Sequence, residues 1–349
     1  MNRLNCASTF NISTLNLFNY LQPPNAFYQF DNIYSDTEWQ RKVTWLSNCI
    51  NELQSDVIAF QEVFSPDILK QPLNQLGYPH FVCLDSPSVR DGYQYSDPVL
   101  ALASKHPILD AQLLTADRTL FHHQDLTQDF QFSRQPLLVS IQLGQLGIID
   151  FVVVHFKSQR PTLTPPDIHQ VTSKTNPGCT NENDCTENIM GIWRSASQRG
   201  FEANVLYSIL SQFRAKTCRP CIILGDFNQT ISSIEFDCFF ALSPQHPSHR
   251  NRNDESLNQL HFYDSWELYC EQFDSANLQW SRPATHYYGA MGKVLDYILL
   301  SNEFAPNSGG YLSVNQYHTY DEHIINPNYQ TDHLSSDHAA VRIEIGIIK

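Results

Sequence analysis

Three times along this chain an apolar run of strand length closes on a polar side chain that can do chemistry. Val57-Ile58-Ala59-Phe60 leads to Glu62, Val152-Val153-Val154 leads to His155, and Ile222-Ile223-Leu224-Gly225 leads to Asp226 and Asn228. Short continuous apolar runs of this kind are the mark of strands buried on both faces. Brought to one edge of a sheet sandwich, their polar ends converge in a cleft. Carboxylates, an amide and histidines gathered there suit a hard cation and a phosphate group. Each residue alone is ambiguous, since a carboxylate after a strand can cap a loop and a lone strand-end histidine is more often structural. The joint occurrence carries the inference.

The rest of the chain mixes strands with helices. Trp39, Val43, Leu46, Ile50 and Leu53 recur at three- and four-residue steps and predict a helix over 36–54. Ser65-Pro66 opens a second helix, to about Leu76, with Gly77 ending it. Phe201, Val205, Leu206, Ile209 and Leu210 mark a third over 195–213. Further strands are predicted from about residue 10 to 17 and over 99–103, 137–143, 294–300 and 339–345. Strands outnumber what strict alternation would give, which points to an α/β protein with more than one sheet. Long stretches without periodicity run from about 157 to 192 and from 242 to 260, and the first reads as an inserted loop. No repeat or composition shift marks a linker, so a single domain over 1–349 is expected.

With 42% hydrophobic and 17% charged residues the chain can bury a sizeable core. No run approaches the ~18 uncharged apolar residues of a membrane span. Met1 to Phe10 lacks a secretory pattern, which predicts a cytoplasmic protein or one exported by a signal-independent route. The net charge of −14 argues against tight, non-specific grip on nucleic acid but not against hydrolysing it. Nine cysteines leave at least one outside any intrachain disulfide. Cys218 and Cys221 have redox-motif spacing but run into a strand, so they read as structural. Cys179 and Cys185 flank an acidic loop and are a candidate pair if the protein is exported.

Six segments then stand in a telling order: Thr14-Leu15-Asn16-Leu17, Gln61-Glu62-Val63, Val154-His155-Phe156-Lys157-Ser158, Gly225-Asp226-Phe227-Asn228, Leu295-Asp296-Tyr297-Ile298-Leu299 and Ser336-Asp337-His338. Together they resemble the endonuclease/exonuclease/phosphatase superfamily, the group around deoxyribonuclease I and the neutral sphingomyelinases. The resemblance implies a four-layer sandwich of two packed mixed β-sheets flanked by helices. It implies that Glu62 is the main carboxylate for Mg²⁺ (or Mn²⁺, with Ca²⁺ as an alternative structural ion), with Asp337 and Asn16 completing the shell. Asp226 is then similar to the residue that orients or deprotonates the attacking water. Asn228 and Asn16 match amides that face the phosphoryl oxygens, His338 matches the histidine on the scissile phosphate, and Asp296 the carboxylate that orients it. His155 matches the histidine on the leaving-group side. Arg134, Lys157 and Arg199 are candidate contacts to substrate phosphate, since basic residues are few and these lie in or beside the motifs; for the helix arginines Arg194 and Arg199 a solvated-surface reading stands equally. His122-His123 and Asp332-His333 read as surface, and Asp264 as structural.

The reaction implied is direct attack of water at phosphorus. The substrate stays open. The favoured reading is a phosphodiesterase or endonuclease on nucleic acid, with Val154 to Ser158 resembling bacterial extracellular-type nucleases. The alternative is a phosphatase or phospholipase-type hydrolase on a smaller or lipid phosphoester. A catalytically silent binding module reusing the fold is a third. No protein partner can be inferred.

Overall fold

The computed structural model describes residues 9–116, 130–163, 182–240, 261–273 and 281–348. Cys179, the His122-His123 pair, half of the 157–192 stretch (164–181) and all of 242–260 lie outside the described residues, as does the side chain of Cys185.

Twelve strands build two six-stranded sheets. In chain order they are β1 (Phe10–Tyr20), β2 (Val57–Val63), β3 (His80–Val82), β4 (Val99–Ser104), β5 (Ile108–Leu113), β6 (Leu137–Gln142), β7 (Ile148–His155), β8 (Cys221–Asp226), β9 (Phe262–Asp264), β10 (Asp296–Ser301), β11 (Leu312–Tyr320) and β12 (Ala340–Ile347). The first sheet runs β11-β12-β1-β2-β4-β3 and the second β9-β10-β8-β7-β6-β5. Both are mixed: β1 and β2 pair parallel, as do β7 and β8, and the remaining neighbours are antiparallel.

The two-residue period of a strand sorts its side chains into layers. Val57 and Ala59 of β2 join Phe151 and Val153 of β7 and Ile222 and Leu224 of β8 in the core between the sheets. The alternate residues Ile58 and Phe60 face outward onto Trp39, Trp45, Leu46, Ile50, Leu69 and Leu73. On the far side, Val152, Val154, Ile223 and Leu299 meet Ala203, Leu206 and Leu210. The result is four layers, helix on sheet on sheet on helix, as the motif resemblance implied.

Helix α1 (Asp36–Leu53) forms where the periodicity placed it. A capping box fixes its start, with the Glu38 amide donating to Ser35 Oγ and the Ser35 amide to Glu38 Oε2. Gln54 ends it in the left-handed conformation. Helix α2 (Pro66–Gln75) begins on Pro66, whose missing N–H would have had no helical partner anyway. Helix α3 (Glu182–Thr217) is longer than expected and corrects the reading of 157–192 as loop to its end. Its first turns went unread because Ile189, Met190, Ile192 and Trp193 are bunched around Gly191 and all exposed, with no apolar face to give a period. Cys218 and Cys221 are free thiols, Cys221 buried in β8, in keeping with a structural role. No helix among the described residues is long and apolar enough to cross a membrane.

Candidate active site

The period that builds the core also aims the site. Residues of β7 at 149, 151 and 153 face the opposite sheet, and His155 is the next position on that face; Asp226 follows 222 and 224 of β8, and Asp296 precedes 298 and 300 of β10 in the same way. The register aligns them in one row, His155 beside Asp226 and Asp226 beside Asp296. Asn16 continues the inward face of β1 set by Phe10 and Ile12. All four are almost wholly buried.

Asp226 is the hub of this row. Its Oδ2 accepts from Asn16 Nδ2 at 3.2 Å and Asn228 Nδ2 at 3.2 Å, and its Oδ1 accepts from the Asn228 amide at 2.7 Å. His155 Nε2 lies 3.4 Å from Oδ2 and His338 Nε2 lies 3.9 Å from it. Burial pushes the Asp226 carboxyl up to about 7; His338 opposes the shift and Asp296 adds to it. His338 Nδ1 is 2.8 Å from Asp296 Oδ2. Burial alone would lower the His338 imidazole, but Asp296 and Asp226 more than offset it, and His338 titrates well above the usual histidine range. His155 titrates well below that range, through burial first and then the positive charges of Arg134 and His338. Two buried histidines on one carboxylate are thus driven to opposite charge states. The segment bearing His338 is tied to β1, since Ser336 Oγ donates to the Asn16 carbonyl at 2.6 Å and accepts from the His338 amide at 3.0 Å.

Glu62 arrives by a different route. Simple alternation from Ile58 and Phe60 would turn it to the helix side. The register of β2 against β4 slips between Phe60 and Val63, and Glu62 has φ 58°. Such a bulge re-aims a side chain. Its Oε2 accepts from the Asn19 amide at 2.9 Å, in a matching irregularity of β1 where Phe18 and Asn19 also have positive φ. Glu62 and Asp337 both act on the buried Lys42 ammonium, which sits 5.5 Å over each of the Phe18 and Tyr34 rings. Burial lowers Lys42 to about 8 against the pull of the two carboxylates.

Of the three residues expected to hold metal, Glu62 and Asp337 both act on the Lys42 ammonium, and Asn16 stands on Asp226. The ligand atoms that lie within 4.8 Å of one another among the described residues are those of Asp226, Asp296 and His338, and those of His286, Asp337 and His338. Asn16 has its amide nitrogen on Asp226 and its oxygen on the Phe18 amide at 3.0 Å. A hard divalent cation would also find an unsatisfied acceptor in this row. Mg²⁺ keeps several waters and is commonly held by one or two carboxylates, and the Oδ1 of Asp296 is buried with no partner.

The basic residues divide. Arg134 reaches the Phe156 carbonyl at 3.4 Å, and with Arg160, Glu62 and Asp97 it acts on the Tyr28 hydroxyl, so it stands on the cleft. Lys157 is partly exposed, and its amide donates to Glu202 Oε2 at 2.7 Å; burial and Arg134 lower its ammonium. Arg199 departs from both sequence readings. It is 2% exposed, and its guanidinium donates to the Lys157 carbonyl and to Glu235 Oε1, each at 2.9 Å. It props the 157–160 segment from beneath and offers no face to a substrate. Asp264 caps the helix Ser265–Cys270 and pairs with Arg282, which is structural. Sequence reading missed His286, Lys42 and Tyr28. Lys42 had one signal, a position on the apolar face of α1 between Trp39 and Leu46; the others had none.

Two mixed sheets in a four-layer sandwich, with carboxylates, amides and histidines at one edge, define a phosphoester hydrolase. The chain belongs to the endonuclease/exonuclease/phosphatase family, whose sequence profile matches residues 9–338. No curated protein matches it by sequence. Among solved structures it is similar to the human Nocturnin catalytic domain with a bound sulfate anion, at 16% identity and TM-score 0.56, covering 97% of this chain and 95% of that one. It is similar to ANGEL2, a 2',3'-cyclic phosphatase, at 14% identity and TM-score 0.55 over 97% and 95%. Humanized D. rerio TDP2 matches at 12% identity and TM-score 0.53 over 97% and 99%. At such identities the likeness shows the deoxyribonuclease I-like fold alone.

Proposed function

We propose that this chain is a Mg²⁺-dependent phosphodiesterase that cleaves nucleic acid by direct attack of water at phosphorus. The observation that carries the reading is Asp226, buried, pushed up to about 7 and held by Asn16, Asn228 and His155. A base poised near neutrality, fixed by amides in a water-poor cleft, is what removing a proton from water requires. His338 stays protonated, its Nδ1 on Asp296, and turns Nε2–H toward the phosphoryl oxygens, where charge grows. His155 is neutral, so it orients Asp226; as the P–O ester bond breaks, the departing oxygen takes its proton from solvent water. Asn228 steadies the opposite face of Asp226, and Arg134 and Lys157 meet flanking phosphate. Glu62 and Asp337 would hold the cation, which would supply positive charge against the phosphate.

A smaller phosphoester is the second reading. The cleft has few cations, the chain carries −14, and ANGEL2 is named for a 2',3'-cyclic phosphatase activity. Plasmid DNA, RNA, nucleoside 2',3'-cyclic phosphate, bis-p-nitrophenyl phosphate, sphingomyelin and phosphoinositides, each with Mg²⁺, Mn²⁺ or EDTA, form the test. Metal-dependent cleavage of DNA or RNA, lowered about 10²–10⁴-fold in Asp226→Asn, is the expected result. A steep loss of affinity with rising salt belongs to the nucleic-acid reading. Cleavage of a cyclic nucleotide or lipid alone would move the assignment to the second reading. Full activity of Asp226→Asn would remove the mechanism.

A further inference from the structure

His286 has no part in the mechanism above, yet it is held against it. It lies on a short hairpin, His286–Tyr288 paired with Met291–Lys293, and bridges His338 backbone to backbone. Its ring centroid is 4.9 Å from that of His338, and its Nε2 is 3.9 Å from Asp337 Oδ2. One ligand atom from each of His286, Asp337 and His338 falls within 4.8 Å of the others. The grouping is braced. The Ala339 amide donates to the Thr285 carbonyl at 2.7 Å, the Thr285 amide to the Lys293 carbonyl at 2.9 Å, and Thr285 Oγ1 accepts from the amides of Leu295 and Asp296. Thr285, just before His286, and Ala339, just after His338, are therefore stitched together.

We propose that His286, Asp337 and His338 form a site for a borderline transition-metal ion of the Zn²⁺ class, sharing Asp337 with the hard-ion position beside Glu62 but built on two imidazoles, and that filling it blocks the hydrolysis. The donor set decides the ion. Two imidazole nitrogens and one carboxylate are a typical three-ligand set for zinc with a fourth position open, whereas Mg²⁺ takes oxygen. His338 is oriented for the task, because its Nδ1 is bound to Asp296; the ion displaces the Nε2 proton into solvent, and a carboxylate on the far nitrogen orients a ligating histidine and strengthens it. That leaves Nε2 as the ligating atom. Entry is open, since the His286 and Asp337 side chains are 25% and 43% exposed. The blocking effect rests on the proposed function, because Nε2 of His338 is the atom that reading turns toward the phosphate. The site itself does not depend on that reading.

Cobalt(II) is the probe, since its visible bands report nitrogen and oxygen ligands and its near-ultraviolet bands report thiolate. The chelator-treated full chain is titrated with Co²⁺ in excess Mg²⁺, alongside His286→Gln. The wild type is expected to bind one Co²⁺ with visible bands and no thiolate band, and one equivalent of Zn²⁺ should displace it. His286→Gln should bind at least about 100-fold more weakly, the upper end of what losing a supporting residue alone costs. Thermal melts check that the variant folds. His286→Asp is the second variant: it keeps a donor, so it should still take Mn²⁺ but lose its preference for Zn²⁺ over Mg²⁺. Equal Co²⁺ affinity in wild type and His286→Gln, or a thiolate band in its place, overturns the site. In hydrolysis, Zn²⁺ should inhibit the wild type at one equivalent and His286→Gln only at about 100-fold higher concentration; equal inhibition overturns the blocking role. A chain with no hydrolytic activity that still binds Co²⁺ through His286 refutes the proposed function and leaves the site standing.

Discussion

Gly225 is where fold and site are most tightly joined, and Gly225→Ala tests that joint. Gly225 lies in β8 with φ 146°, opposite Val154 of β7 in the parallel register. A Cβ there would stand 1.9 Å from the Val154 carbonyl oxygen and 2.9 Å from its carbon. Both are backbone atoms of a central strand, so no rotamer change relieves the clash, and the two strands must part by about 1 Å. The conformation adds roughly 1–3 kcal/mol of strain for a residue with a side chain. Overpacking a core adds about 1–3 kcal/mol more, so a loss of roughly 2–6 kcal/mol is expected. The next pair along the same two strands is His155 and Asp226, so the displacement passes straight into the site. A misplacement of about 1 Å is enough to lower turnover about 100-fold. Urea unfolding followed by tryptophan fluorescence reads the stability, and metal-dependent hydrolysis well below the melting temperature reads the site. A variant within about 1 kcal/mol of wild type and within a few-fold of its activity would refute the reasoning, because the strand pair could then separate freely.

Other consequences follow from single contacts. Asp296→Asn frees His338 Nδ1 from its carboxylate, and kcat should fall about 10²–10⁴-fold with KM little changed; an unaltered kcat would mean that Asp296 does not orient His338. Arg199→Met removes the guanidinium from a half-buried Glu235 and from the Lys157 carbonyl, and should cost about 1–3 kcal/mol in urea unfolding, with KM unchanged. A raised KM at unchanged stability would return Arg199 to the substrate. His261 is buried, with Nδ1 unpaired, and burial pushes it down to about 4. The unfolded chain takes up this proton near pH 6.5, so stability is complete above that pH and declines as pH falls toward 4. The shift corresponds to about 3 kcal/mol. His261→Gln should flatten that part of the acid slope in urea midpoints measured at pH 4.5 and pH 7, and an unchanged slope would count against it.

The sequence by itself determined eight of the twelve sheet strands and the polar residues that close them, while β3, β5, β9 and β11, short or on the outer side of each sheet, carried no apolar run to mark them. Alternation and run length are local properties, and the positions of Asn16, His155, Asp226 and Asp296 follow from the same period that places Ile12, Val153, Leu224 and Ile298 in the core. The order of six motifs pointed to the family and, through it, to the four-layer sandwich. Tertiary structure decided what no local period encodes. A slip in the pairing of β2 re-aims Glu62 away from the helix side. A hairpin carries His286 onto His338, two segments far apart in the chain that meet only through a backbone bridge. The side of α3 that meets Lys157 and Glu235 was ambiguous in sequence, and their placement alone turns Arg199 inward as a prop. The charge states of His155 and His338 also belong to this level. Two buried histidines end in opposite states, because burial, with Arg134 and His338 adding to it, holds His155 down, whereas Asp296 and Asp226 more than offset burial at His338. Burial and neighbouring charge are set by which distant segments pack together, and so they were not legible until the chain had folded.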